Sequence, residues 1–66
     1  MNNLARNMAV LRRASGLSQE KAAEAVGVTR QALAKWEAGE TTPDILHSDA
    51  LAALYGVSLD DLLHFA

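Results

Sequence analysis

The sequence predicts an all-α domain of five short helices. Three observations carry that expectation. Apolar residues recur at three- and four-residue spacing, no segment alternates with period two long enough for a strand, and Gly, Ser and Thr punctuate the chain at intervals that suit short helices. With 66 residues, half of them apolar, the chain makes one domain (1–66) rather than two. A chain of about 60 residues buries only roughly 60% of its unfolded-state surface, which leaves little room for a deep cleft beside a core.

Leu4, Met8 and Leu11 form one apolar stripe, predicting a first helix from about Asn3 to Ala14. Gly16 is a candidate to close it, with Leu17 folding back on its end. Ser18 then caps a second helix of about eight residues, with Gln19 and Glu20 in its first turn and Ala22, Ala23 and Val26 on its inner face. Gly27 ends it, and Thr29 opens a third helix whose inward residues are Ala32, Leu33 and Trp36. Gly39 closes that helix, and Glu40-Thr41-Thr42-Pro43 reads as a loop. Pro43 also suits a helix start, where its missing N–H costs nothing. Ile45, Leu51, Ala52, Leu54 and Tyr55 point to a fourth helix, stopped by Gly56. Ser58 caps a fifth, with Asp60 and Asp61 in its first turn and Leu59, Leu62, Leu63 and Phe65 as apolar side chains.

Charge is divided along the chain. The formal net charge is −2, yet all six cations lie in residues 1–36, against only Glu20 and Glu24. Residues 37–66 carry six acids and no Lys or Arg. This asymmetry fits one face for a polyanion and another turned away from it, or simply scattered surface charge.

The absence of cysteine excludes disulfides and thiolate metal or redox sites. His47 and His64 have no partner at a metal-binding spacing, so they read as solvated helix residues and no metal site is expected. Nor does a Ser, His and acid combination or a phosphate loop appear, so neither an enzyme nor a cofactor is expected. Without a membrane-length apolar run or a signal peptide at Met1-Asn2-Asn3, the expected location is the cytoplasm.

The second and third helices meet at Val26-Gly27-Val28-Thr29, a turn tight enough to hold them at a large angle as a helix-turn-helix over residues 19–38. Ala23 permits close approach, and Val26, Val28 and Leu33 fill the wedge. The outer side of the third helix presents Arg30, Gln31, Ala34 and Lys35, with no acid until Glu37. Gln pairs bidentately with adenine and Arg with guanine, and either cation can grip phosphate. Trp36, at helical spacing from Leu33, reads as core rather than as a base-stacking residue.

From Gly16 to Gly39 the chain resembles the Cro/C1-type (XRE-family) helix-turn-helix, through Leu17-Ser18-Gln19, Gly27-Val28-Thr29-Arg30-Gln31-Ala32 and Lys35-Trp36-Glu37-Ala38-Gly39. Pro43, Leu51, Ala52 and Gly56-Val57-Ser58-Leu59-Asp60-Asp61-Leu62 are similar to that family's last two helices, so the likeness covers residues 8–62. It implies a lambda-repressor-like fold and a bacterial or phage-encoded regulator, most simply a repressor. The regulator would bind a roughly palindromic double-stranded DNA operator as a homodimer, with helix three in the major groove. By position, Gln19 is expected on phosphate at a helix N-terminus. Thr29, Arg30, Gln31 and Lys35 match DNA-facing positions, and Thr41 lies in a loop that touches the backbone. Arg12 and Glu37 resemble a family ion pair that ties helix one to the end of helix three. Ala22 and Ser48 replace larger apolar residues, and Glu40 occupies a site often basic in relatives.

The fifth helix carries more apolar side chains than one face of a short helix can bury. Leu62 is expected inward, and Leu59, Leu63 and Phe65 are the expected dimer surface. An alternative reading is an antitoxin-like interaction module whose acidic C-terminal half binds a partner protein.

Overall fold

The computed structural model describes residues 3–64. It holds α1 (Leu4–Ala14), α2 (Gln19–Val26), α3 (Arg30–Ala38), α4 (Ile45–Tyr55) and α5 (Leu59–His64), with no strand among the described residues. The expected cap residues Ser18, Thr29 and Ser58 each accept a backbone N–H three residues on, from Lys21, Ala32 and Asp61. These bonds satisfy donors that a helix start otherwise leaves unpaired.

Two local expectations shift. Ser15, not Gly16, is the C-cap of α1, and Gly16 lies one residue beyond it, where Leu17 N–H donates back to Arg12 O at 3.2 Å. That return bond still turns Leu17 onto the helix end. Pro43 does not open α4. Asp44 does, its carboxylate accepting His47 N–H at 2.8 Å, and Pro43 is buried just outside the helix. A carboxylate cap satisfies a donor and meets the positive helix end, which proline cannot do. The same bond holds the Asp44 carboxyl below its ordinary pKa.

The core gathers Leu4, Met8 and Leu11 of α1, Ala22 and Ala23 of α2, Leu33 and Trp36 of α3, Leu51, Ala52 and Tyr55 of α4, and Leu62 of α5. Helix α1 packs on α3 and α5, and α2 packs on α3 and α4. The small residues Ala22 and Ser48 are both buried on the α2 and α4 sides of this core.

Asn7 was not among the expected core residues. It is fully buried, and its Nδ2 donates to Leu62 O at 2.9 Å, tying α1 to the last turn of α5. His47 is not simply solvated. Its ring stands 5.6 Å from the Trp36 ring, and its Nδ1 lies 3.0 Å from an Asp44 carboxylate oxygen. It therefore covers part of the one tryptophan. His64 is exposed, as expected.

Candidate nucleic-acid interface

The turn between α2 and α3 depends on Gly27, whose φ of +78° lies in the left-handed region. Val28 N–H closes the turn by donating to Ala23 O at 2.9 Å. A side chain at position 27 would make that conformation costly, so glycine sets the angle at which α3 leaves α2. Val26 and Val28 are half-buried against Leu33, which has no exposed surface.

What α3 turns outward is polar. Thr29, Arg30, Gln31 and Lys35 are all exposed, and Ala34 among them is half-exposed. No carboxylate lies on α3 before Glu37, and Glu37 points inward. Its side chain is only 5% exposed and is held by Arg12, whose Nε donates to Oε2 at 2.8 Å and whose Nη2 donates to Oε1 at 3.1 Å. Arg12 Nη1 donates to Leu17 O at 2.8 Å. A bidentate pair of this geometry joins α1, the α1–α2 turn and α3. It raises the Arg12 pKa through the hydrogen bond to Glu37.

Gln19 extends the network toward the exposed face. Its Nε2 donates to Glu37 Oε1 at 3.1 Å, and its Oε1 accepts from Arg30 Nη1 at 3.4 Å. The amide expected to meet phosphate is thus held at both ends within the domain, with one N–H left over. Thr29 Oγ1 is occupied in capping α3. Thr41 is exposed in the α3–α4 loop, its N–H donating to Lys35 O at 3.4 Å, and it borders a hollow shared with Thr42, Trp36 and Arg6.

The remaining site residues lie elsewhere. Leu59 and Leu63 of α5 are half-buried and packed against the core, and Phe65 lies outside the described residues. The structure therefore brings Arg12, Gln19, Arg30 and Glu37 into one network and leaves Gln31, Lys35 and Thr41 on the surface beside it. Sequence reasoning paired Arg12 with Glu37 but did not connect Gln19 to either Glu37 or Arg30. Spacing gives no signal for a contact that depends on the angle between two helices.

A helix-turn-helix family profile matches residues 8–62. The chain belongs to this family. It is 40% identical over 52 residues to the HTH-type transcriptional regulator YonR of Bacillus subtilis strain 168, covering 79% of this chain and 48% of that protein. It is 38% identical over 52 residues to the transcriptional regulator YgzD of the same organism, covering 79% of each. The chain thus spans about half the length of YonR. The P22 c2 repressor in complex with a synthetic operator superposes with a TM-score of 0.86 at 28% identity, covering 91% of each chain. The five-helix, lambda-repressor-like fold of the Cro/C1-type regulators is therefore the fold of this chain. Among the described residues no helix is long and apolar enough to cross a membrane, and no group of His, Asp and Glu could hold a metal ion.

Proposed function

We propose that the chain is the DNA-binding domain of a cytoplasmic transcriptional regulator. It reads a roughly palindromic operator as a homodimer, acts as a repressor by occupancy and performs no catalysis. The observation that carries this reading is the outward face of α3, which is polar and cationic and free of carboxylates because its one acid is drawn inward by Arg12. Binding of this class needs phosphate neutralisation for affinity and base-edge contacts for sequence.

On this reading α3 enters the major groove. Gln31 and Arg30 read bases, and Lys35 and the Thr41 region meet phosphate. Thr29 presents the start of α3, and Gln19 spends its remaining N–H on phosphate at the α2 N-terminus. The P22 c2 repressor, a protein of the same fold, has been captured on operator DNA.

The test is selection of bound sequences from random duplex DNA, followed by a salt titration on the selected site. Recovery of one symmetric sequence is expected, with log K falling linearly against log[salt] at about −0.9 per phosphate contacted. Failure to enrich any sequence, or affinity insensitive to salt, would remove the proposal.

A further inference from the structure

Between the first turn of α1 and the loop that follows α3, the surface falls into an open hollow of about 420 Å³. Its floor is apolar, made by the buried Leu4, Met8 and Trp36, and its rim is polar, made by the exposed Arg6, Thr41 and Thr42. The two walls meet closely. A Cβ on Gly39, just past the end of α3, would stand 3.8 Å from Ala5 Cβ, so α1 carries position 6 to the end of α3. Pockets of about 300–1,000 Å³ hold small organic molecules, so the space exceeds what a lone phosphate fills and suits a phosphate with its sugar.

The hollow continues the outward face of α3. Lys35 O accepts Glu40 N–H at 2.9 Å and Thr41 N–H at 3.4 Å, which folds the loop back beside the last cation of that face. Beyond this point the loop itself repels a duplex. Glu40 and Asp44 are exposed acids, and residues 40–44 hold no Lys or Arg. Among the described residues, Arg6 is the one charged side chain that lines the hollow.

Resting on the DNA reading above, we infer that this hollow seats one sugar–phosphate unit of the duplex backbone, with Arg6 of α1 neutralising a phosphate that the acidic loop alone would repel. The Arg6 guanidinium supplies charge-assisted N–H donors, and the Thr41 and Thr42 hydroxyls supply neutral ones. The apolar floor meets the C–H side of the sugar. Charge decides the kind of occupant, since a cationic rim with hydroxyl donors fits an anion. Continuity with α3 makes that anion part of the molecule that α3 meets. Such a contact fixes position on the duplex and carries no base preference.

The test is a cycle between side chain and phosphate. Each phosphate near a half-site of the selected operator would be replaced in turn by an uncharged methylphosphonate. Binding would be measured for the 66-residue wild type, Arg6→Gln, Arg6→Lys and Arg13→Gln. Arg13 is also exposed, but it stands about two turns along α1 and outside the hollow. Arg6→Gln should bind about ten-fold more weakly per half-site, on operator and random duplex alike. Its salt slope should be smaller by about 0.9 per half-site, with the same base preferences. At one phosphate in each half-site, the methylphosphonate should weaken wild type by a similar factor and leave Arg6→Gln unaffected. Arg6→Lys should recover most of the affinity and the slope, and Arg13→Gln should keep wild-type sensitivity at that phosphate.

Arg6 is not the contact if no phosphate loses its effect in Arg6→Gln, or if that variant shifts base preference instead of lowering affinity uniformly. Melting of Arg6→Gln below the assay temperature would overturn the site too, by making Arg6 a residue of the fold. Trp36, the chain's one tryptophan, lines the same hollow, so its fluorescence in the free protein reports a small anion there. A saturable response to micromolar inorganic phosphate would give the hollow to a free anion in place of the duplex. Wild type that selects no sequence and binds no duplex would refute the DNA reading itself, and this site with it.

Discussion

Helices α3 and α4 each turn one side to solvent, and the two sides are opposite in character. On α3 the outward residues Arg30, Gln31 and Lys35 are polar or cationic, and the large apolar residues Leu33 and Trp36 are folded inward. On α4 the outward side begins with Ile45 and Leu46, followed by Asp49 and Ala53. The difference teaches that exposure alone does not mark a working surface. A polar face is stable in water without a partner, and its meaning lies in which charges are missing from it. An exposed apolar pair costs solubility for as long as it stays uncovered, so its meaning lies in what covers it.

The sharpest test of the contrast is to break the buried pair that turns the one acid of α3 inward. Glu37→Ala leaves the Arg12 guanidinium buried without its carboxylate, and breaking a buried pair from one side costs about 3–5 kcal/mol. Glu40→Ala, three residues on and exposed, should change stability by less than about 0.5 kcal/mol. Thermal unfolding of the two variants checks this directly. Similar melting curves would mean that the pair, with its 2.8 Å contact, behaves like an ordinary surface bridge.

A smaller effect separates reading from gripping on α3. Gln31→Ala should cost about 1–3 kcal/mol on the selected operator and relax preference at one base pair per half-site, with little change on random duplex DNA. Equal losses on both would reduce Gln31 to a backbone contact. Smaller still is the contrast between α4 and α5. Leu63→Gln removes half-buried apolar surface and should lower stability by about 1 kcal/mol, while Leu46→Gln, on a side chain already in water, should be neutral or slightly favourable in the monomer. Denaturant midpoints decide between them, and a larger loss from Leu46→Gln would place the apolar pair inside the fold.

Much of this was legible in the sequence because helix boundaries were written in cap chemistry. Ser18, Thr29 and Ser58 act through their own oxygens on N–H groups three residues away, so local order suffices to find them. The outward face of α3 was legible for a similar reason, since Leu33 and Trp36 fix which side is inward. Helix α4 was harder. With apolar residues all round, its period names no single inner side, and only packing shows that Ile45 faces water. Asn7 shows the converse. It falls on the same stripe as Leu4, Met8 and Leu11, so the period marked position 7 as inward while its amide disguised it. The Gln19 network needed three elements in their final arrangement, which no spacing encodes.

The last test concerns the inward side of α4, where Tyr55 is buried and its hydroxyl has no hydrogen-bond partner among the described residues. Burial pushes its pKa up to about 12, with the nearby Glu37 carboxylate acting in the same direction and Arg12 against it. The folded state therefore holds the phenol proton more tightly than the unfolded chain, whose tyrosine ionises near pH 10. The resulting stability is complete below about pH 10 and is lost as pH rises toward 12. Tyr55→Phe removes a buried hydroxyl that makes no bond, so at neutral pH it should change stability by less than about 1 kcal/mol in either direction. Above pH 10 the variant should lose this group's share of the decline in melting temperature. Tyr55 is the chain's one tyrosine, so tyrosinate absorbance follows this side chain alone. Ionisation at its ordinary pH in the folded protein would show that α4 exposes its inner side as well as its outer one, and the contrast with α3 would no longer hold.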